Sequence, residues 1–291
     1  MTAAAPAGTQ GRAAGPIAIA AAFERARAAG RAALIPYVVS GYPTLAVSRE
    51  AALAAIDAGA DLLEIGLPYS DPLADGATLQ RASAAALRAG VTLAHSLELV
   101  TAVHAARPAT PLLPMAYLNQ LLGRAGTVEA ALSRLAAAGA SGLILADLTP
   151  DEGAEVEAAA AAAGLALVYL VTPTTPGQRR AWIARRSTGF LYAVSLVGVT
   201  GARASLPSDV TRFLDAVRSV APVPVAVGFG VSRPGQVRRL ARHADGIIVA
   251  SALVDALGPA GTDVAAMATL VGALRAATLV EAAVRGGSSG G

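Results

Sequence analysis

The feature that most constrains the fold is a regular alternation of short apolar runs with longer, alanine-rich stretches. Most runs are rich in Val, Ile and Leu and lack polar alternation, which is typical of parallel strands buried on both faces. We therefore predict eight strands. They cover residues 33–39, 61–66, 111–116, 142–147, 166–171, 189–194, 223–228 and 245–249.

The stretches between these runs have the pattern of amphipathic helices. The predicted helices cover residues 44–58, 79–106, 125–138, 150–163, 176–186, 208–219, 233–241 and 262–285. Eight strand–helix units in about 250 residues predict an α/β fold, a single (β/α)8 TIM barrel with an extra N-terminal helix and extra helical segments. A doubly wound sheet is the rival fold, but no Gly-x-Gly-x-x-Gly motif follows the first predicted strand.

The barrel is predicted to occupy residues 16–285 as one catalytic domain. Residues 1–15 are predicted to be a disordered lead-in, and residues 286–291 a flexible Gly/Ser tail. No apolar run is long enough to span a membrane. The short apolar segment 16–23 is followed at once by charged residues and predicts a helix rather than a signal peptide. We expect a cytoplasmic protein with no membrane contact.

The composition excludes several kinds of chemistry. The chain has no cysteine and no lysine, since all 23 basic residues are arginine. Thiolate nucleophiles, Cys-ligated metals and Schiff-base mechanisms are therefore excluded. The three histidines, His95, His104 and His243, lie in or beside predicted helices, so no metal site is expected. Scattered arginines and only 4% aromatic residues leave little basis for nucleic-acid binding.

One segment, residues 61–76, combines an apolar strand that carries Glu64 with a proline-stiffened loop that brings Asp71 and Asp75. A carboxylate at a strand end followed by a rigid acidic loop is what acid–base chemistry in the mouth of a barrel requires. An ion pair that caps the strand is the alternative interpretation, because arginine is plentiful. The local pattern leaves both open.

Further polar side chains gather at the ends of the predicted strands, which face one mouth of a barrel. Individual members of this set could serve buried structural hydrogen bonds, but such bonds account less well for all of them at one face. We therefore expect the set to serve a site. Its members are Tyr37, Glu64, Tyr117, Asn119, Asp147, Tyr192 and Ser195.

Glycine-rich loops follow the last three predicted strands, at residues 197–203, 228–232 and 250–252. In barrels, the loops after strands seven and eight commonly bind phosphate through backbone N–H groups and a helix N-terminus. Tight turns alone are the alternative use of these glycines. Gly198 and Gly201 would also let the loop after the sixth strand move as a lid.

Taken together, these pieces resemble the tryptophan synthase alpha chain family, with the motifs in family order over residues 18–285. The most specific match is Pro-Tyr-Ser-Asp-Pro-Leu-Ala-Asp-Gly at 68–76. The other matching motifs are Leu-Ile-Pro-Tyr-Val-Val-Ser-Gly-Tyr-Pro at 34–43, Met-Ala-Tyr-Leu-Asn at 115–119, Thr-Pro-Thr-Thr-Pro at 172–176, Gly-Val-Thr-Gly at 198–201 and Gly-Phe-Gly-Val-Ser at 228–232.

The resemblance implies a lyase that cleaves indole-3-glycerol phosphate to indole and glyceraldehyde 3-phosphate, without metal or cofactor on this chain. It implies that Glu64 is the acid–base group and that Asp75 binds the indole N–H. It also implies that Tyr192 positions Glu64 and substrate, and that Thr200 hydrogen-bonds Asp75 when the lid closes. Tyr37 stands where the family has an aromatic residue against the indole.

The resemblance further implies that Gly201, Gly230 and Ser251 contact the phosphate. Three positions depart from the family pattern. Ala250 replaces a usual glycine of the phosphate loop, where its N–H can still donate unless a positive φ is needed. Tyr42 replaces an aspartate, and Thr149 replaces a proline.

The resemblance implies a beta chain as partner, in a hetero-tetramer of two alpha and two beta chains, with pyridoxal phosphate on the beta chain alone. Asp71, Pro72 and Asn119 are expected to face that partner. Two alternatives stay open: a stand-alone indole-3-glycerol phosphate lyase, and a non-catalytic phosphate-binding barrel that acts as a partner subunit.

Overall fold

The computed structural model describes residues 14–195, 209–228 and 230–280, with the backbone alone for residues 124 and 125. These ranges contain nine parallel strands in one sheet. The strands are β1 Ala33–Val39, β2 Leu63–Gly66, β3 Leu112–Ala116, β4 Gly142–Leu145, β5 Ala166–Val168, β6 Leu170–Val171, β7 Leu191–Val194, β8 Val225–Gly228 and β9 Gly246–Val249.

The sheet closes on itself, as the predicted barrel requires. Its order is β5-β4-β3-β2-β1-β9-β8-β7-β6, and β5 and β6 are separated in the chain only by Tyr169. The Tyr169 N–H donates to the Ser187 hydroxyl at 3.1 Å, while its carbonyl accepts from Tyr192 at 3.0 Å. The fifth predicted strand is therefore two short strands, and the (β/α)8 barrel is confirmed.

Helices surround the barrel. They are α1 Ala14–Ala28, α2 Leu45–Asp57, α3 Ala77–Arg88, α4 Leu93–Ala106, α5 Leu118–Ala125, α6 Val128–Ala137, α7 Ala154–Ala163, α8 Gly177–Arg186, α9 Val210–Arg218, α10 Pro234–Leu240, α11 Ser251–Ala256 and α12 Val264–Ala276. None of these helices has both the length and the apolar character needed to cross a membrane.

Two predicted helices need correction. The predicted helix 79–106 is two helices, because Gly90 adopts a φ of 81° and the Thr92 hydroxyl accepts the His95 N–H to begin α4. The predicted helix 125–138 begins at Val128, after Gly126 with a φ of 78° and the capping Thr127. The short helix α5, which precedes it, was not predicted.

The boundaries of the terminal segments also differ from the predicted ones. The extra N-terminal helix is present as α1, but it begins at Ala14, so the last two residues of the segment predicted to be disordered are helical. The last predicted helix, 262–285, ends at Ala276. Residues 1–13 and 281–291, which include the predicted Gly/Ser tail, lie outside the described residues.

Alternate strand residues divide the core into two layers. Residues that point outwards, such as Leu34 and Leu63, pack between the sheet and the helices. Residues that point inwards, such as Ile35 and Leu113, fill the barrel itself. Phe23 of α1 enters this inner core and lies 5.6 Å from the Phe190 ring between centroids. The inner core is thus apolar at this end and leaves the carboxyl ends of the strands for polar side chains.

Candidate active site

Glu64 lies inside the barrel, on β2. It pairs in register with Tyr37 of β1 and with Leu113 of β3, and only 1% of its surface is exposed. Its Oε2 atom has no hydrogen-bond partner within the described part of the chain. Burial, and secondly the charge of Asp75, raises the pKa of Glu64 to about 8. Glu64 is therefore largely protonated at neutral pH, which suits a proton donor.

Asp75 approaches the same space from the loop between β2 and α3. It is 9% exposed, and burial raises its pKa to about 6. Asp75 is therefore mostly ionised at neutral pH while Glu64 is mostly neutral. The structure thus brings together the two carboxyl groups on which the sequence interpretation depended, and it places them in different protonation states.

Two tyrosines flank the carboxyl groups, and a glycine on a neighbouring strand makes room for each ring. A Cβ atom on Gly66 would lie 1.7 Å from the Tyr37 hydroxyl, and one on Gly228 would lie 2.4 Å from the Tyr192 hydroxyl. Burial raises the pKa of Tyr37 and of Tyr192 well above the ordinary value, with further contributions from both carboxylates. Both phenols therefore remain neutral and able to donate a hydrogen bond.

These four side chains line one cavity, which encloses about 500 Å³ of atom-free space including its mouth. Much of the wall is apolar and suits a flat aromatic ring. The apolar residues of the wall are Leu79, Met115, Val231 and Ile248. None of these four residues is predicted from the sequence as a site residue, although the two-residue alternation along β3 and β9 points Met115 and Ile248 inwards.

Another part of the cavity lining has features of an anion site. Gly230, Ala250 and Ser251 line it together. Gly230 has a φ of 75°, a conformation that favours glycine. Ala250 has a φ of −120°, so the alanine that departs from the family pattern does not need the positive φ that would favour glycine. Ser251 begins α11, and the first N–H groups of a helix have no partner within the helix.

Several strand-end residues make structural contacts instead of lining the cavity. The Asp147 carboxylate accepts the Leu118 N–H at 3.0 Å, and the Ser195 hydroxyl donates to the Gly228 carbonyl at 2.8 Å. Tyr117 and Asn119 make contacts with the loop that carries Asp75. Of the strand-end set, Tyr37, Glu64 and Tyr192 line the cavity, and the other four residues do not.

The remaining predicted site residues fall into two groups. Asp71 and Asn119 are exposed and Pro72 is partly exposed, on the surface outside the cavity. Thr200 and Gly201 lie outside the described residues. No cluster of three or more His, Cys, Asp or Glu residues that could hold a metal ion occurs in the ranges described.

The chain matches a known protein family over most of its length. Residues 23–282 match the family model described as tryptophan synthase alpha chain. The chain belongs to the tryptophan synthase alpha chain family. This membership confirms the predicted family and the predicted enzyme class, a lyase of tryptophan biosynthesis.

Individual relatives extend the match over most of the chain. A tryptophan synthase alpha chain from Roseiflexus castenholzii is 48% identical over 243 residues, which are 82% of this chain and 91% of that relative. One from Deinococcus radiodurans is 46% identical over 250 residues, 85% of this chain and 90% of that relative.

Solved structures show the same architecture. A chain of the Mycobacterium tuberculosis tryptophan synthase superposes with a TM-score of 0.83 at 40% identity, covering 90% of this chain and 98% of that one. The tryptophan synthase alpha chain of Legionella pneumophila superposes with a TM-score of 0.81 at 29% identity, covering 90% and 97%.

The burial of Glu64 predicts a pH dependence of stability. Between the ordinary pKa of 4.5 and the raised value of about 8, the folded chain holds a proton that the unfolded chain has released. The free energy of unfolding therefore falls as pH rises through this window, by at most about 1.4 kcal/mol per pH unit. Glu64→Gln removes this loss. The free energy of unfolding of the variant, measured in urea, should therefore rise relative to that of the parent chain between pH 5 and pH 8.

Glu98→Gln is the control for that measurement, because Glu98 is an exposed glutamate of α4 and its change should leave the pH dependence of the parent chain in place. A Glu64→Gln variant whose unfolding free energy runs parallel to that of the parent across the same window would show that Glu64 is ionised in the folded chain.

Proposed function

We propose that this chain cleaves indole-3-glycerol phosphate to indole and glyceraldehyde 3-phosphate. The observation that carries the proposal is the pair of carboxyl groups, Glu64 and Asp75, with pKa values raised to about 8 and about 6 in one cavity. That cavity is lined by apolar side chains, which are proposed to hold the indole ring, and by Gly230, Ala250 and Ser251, which are proposed to hold the phosphate. An acid and a carboxylate held in different protonation states are what the reaction requires.

Glu64 is the proposed acid–base group. Its carboxyl proton passes to C3 of the indole ring, which makes the ring an iminium-like electron acceptor. The resulting carboxylate takes the proton of the hydroxyl on the carbinol carbon attached to C3. The bond between C3 and that carbon then breaks, its electron pair restores the aromatic ring, and the hydroxyl oxygen becomes the aldehyde oxygen. Glu64 has thus given one proton and received one.

Asp75 is the proposed partner of the ring nitrogen. As the ring accepts the proton at C3, positive charge develops at the nitrogen, and the ionised carboxylate accepts the indole N–H and stabilises that charge. The Asp75 carboxylate has no hydrogen-bond donor among the described residues. A carboxylate without a donor in a poorly hydrated cavity interacts strongly with a charge that develops opposite it.

The two tyrosines complete the ring-binding part of the cavity. Tyr192 is proposed to position Glu64 and substrate, since its buried hydroxyl lies close enough for Glu64 to contribute to its raised pKa. Tyr37 is proposed to pack against the indole ring. Thr200, on the proposed lid, is proposed to donate to Asp75 on closure, which stays a prediction because it lies outside the described residues.

The phosphate is proposed to lie at the wall formed by Gly230, Ala250 and Ser251, with Gly201 added from the proposed lid. Backbone N–H groups at the start of α11 would donate to the phosphate oxygens. The proposed reaction uses only protein carboxyl groups and the electron-accepting ring of the substrate. It therefore needs no cofactor or metal on this chain.

A beta chain is the proposed partner, in a hetero-tetramer of two alpha and two beta chains. Pyridoxal phosphate is proposed to be bound by the beta chain alone, and the complex is proposed to be cytoplasmic. The proposed contact surface contains Asp71, Pro72 and Asn119. Leu73, in the same loop as Asp71 and Pro72, is 93% exposed, so a partner bound at this surface would cover it. Consumption of indole by the beta chain would draw the cleavage reaction forward.

Two alternatives remain distinguishable. A stand-alone lyase would use the same cavity without the partner. The carboxyl pair argues against a non-catalytic phosphate-binding barrel. Burial of two such groups lowers the stability of the fold, and a purely structural barrel does not need them.

The catalytic roles predict the effect of two isosteric substitutions. Glu64→Gln removes the transferable proton and should lower indole release by at least about 100-fold, while substrate binding measured by calorimetry is kept. Asp75→Asn removes the stabilising charge and should lower kcat by about 100-fold or more. The exposed Glu98→Gln change is the control and should turn over at the parent rate. Near-parent turnover by either active-site variant would remove that residue from its role.

The partner proposal predicts that mixing with a beta chain raises the rate of indole-3-glycerol phosphate cleavage and gives a co-eluting complex of tetramer mass. Leu73→Asp should weaken co-elution. Leu279→Asp is the matched control, since Leu279 is 57% exposed but lies beside Arg31 before β1, away from the carboxyl ends of the strands. An unchanged rate with no co-elution would favour the stand-alone lyase.

A further inference from the structure

The position of Asp75 is set by its backbone, because its carboxylate has no hydrogen-bond donor within the described ranges. Its N–H donates to the Pro72 carbonyl at 3.0 Å, and its carbonyl accepts from the Gln80 side chain at 2.9 Å. Both partners belong to the same stretch of chain, the loop 67–76 and the following helix α3. Neither contact ties Asp75 to the barrel.

One hydrogen bond next to Asp75 does reach the barrel. The Ala74 N–H donates to the Tyr117 hydroxyl at 2.9 Å, across a separation of 43 residues. Burial, and secondly the charge of Asp75, raises the pKa of Tyr117 above its ordinary value, so the hydroxyl stays protonated. Tyr117 does not line the cavity, so it would not contact the substrate itself.

Tyr117 is itself firmly held. It follows β3 directly and precedes α5, whose first N–H, that of Leu118, is bound by the Asp147 carboxylate at 3.0 Å. Its ring stacks on that of Tyr69, with centroids 4.9 Å apart and an angle of 24° between the planes. The Tyr69 hydroxyl in turn accepts from Asn119 at 2.9 Å. The backbone of Tyr117 is thus fixed between β3 and α5, while its ring packs on Tyr69 of the same loop that carries Asp75.

We propose that Tyr117 is a positioning residue for the proposed reaction: by accepting the Ala74 N–H, its hydroxyl holds the Asp75 carboxylate opposite the indole nitrogen. The inference rests on the role of Asp75 in the proposed function. A displacement of about 1 Å of a catalytic group can cost up to about 100-fold in rate. The loop therefore needs an anchor beside Asp75, and the Tyr117 hydroxyl supplies it.

The test is Tyr117→Phe, which keeps the ring and its stack on Tyr69 and removes only the hydroxyl. Asp75 acts mainly on charge that develops in the transition state, so we expect kcat to fall about tenfold while KM stays within about twofold. In an Asp75→Asn background the same change should cause no further loss, because the residue that Tyr117 positions has already lost its charge.

Tyr169→Phe is the matched control. The Tyr169 hydroxyl is also buried against a hydrogen-bond partner, Glu157, at 2.8 Å, but it packs in the outer layer of the core. This variant should lose stability and keep the parent kcat. It shows whether loss of a buried tyrosine hydroxyl alone lowers turnover.

Two results would overturn the inference while the proposed function stands: parent-like kcat for Tyr117→Phe, or an equal tenfold loss in the parent and Asp75→Asn backgrounds. The second result would mean that Tyr117 acts independently of Asp75. Parent-like activity of Asp75→Asn alone would contradict the proposed function, and the inference would fall with it.

Discussion

Two carboxyl groups that share a poorly hydrated cavity cannot both carry a charge without a large cost in free energy. In this chain the cost is divided unequally, because Glu64 is almost fully buried inside the barrel whereas Asp75 enters from a loop at its rim. The pKa of Glu64 therefore rises to about 8 and that of Asp75 only to about 6. Burial of the two carboxyl groups lowers the stability of the fold near the cavity. The same burial makes Glu64 a proton donor and leaves Asp75 as an anion.

A few local features of the barrel make this arrangement possible. Gly66 and Gly228 leave space for the Tyr37 and Tyr192 rings, where any Cβ would meet a hydroxyl. Helix α1 adds apolar side chains to the inner core, so that the polar groups gather at the other end. The loop that carries Asp75 is anchored to the barrel beside that residue, at Tyr117. Position and protonation state are thus set by different parts of the fold.

Much of this structure could be predicted from the sequence. Strands buried on both faces appear as uninterrupted apolar runs, so the barrel strands were located within a few residues. The break at Tyr169 was not predicted, since a hydroxyl from Ser187 replaces a ladder hydrogen bond there and only the folded sheet brings it near. The division of 79–106 into two helices depends on one glycine and one capping threonine. These two residues are hard to recognise as a break because the helical pattern continues on both sides of them.

The site was predicted unevenly for a related reason. Glu64 can be predicted because it is a carboxylate within an apolar strand, and Asp75 because it lies in the proline-stiffened loop that follows that strand. The apolar wall, with Met115 and Ile248, did not stand out, because inward and outward strand residues look alike in a parallel barrel. Asp147 and Ser195 were expected to serve the site, yet the first binds the start of α5 and the second binds the Gly228 carbonyl, as only the folded geometry reveals.

The central claim, that Glu64 is a neutral acid beside an ionised Asp75, can be measured directly by infrared difference spectroscopy. The carboxyl stretch of protonated Glu64 is identified by subtracting the spectrum of Glu64→Gln from that of the parent chain. The account predicts that this band persists at neutral pH and disappears as pH rises through about 8. Loss of the band near the ordinary value of 4.5 would contradict it.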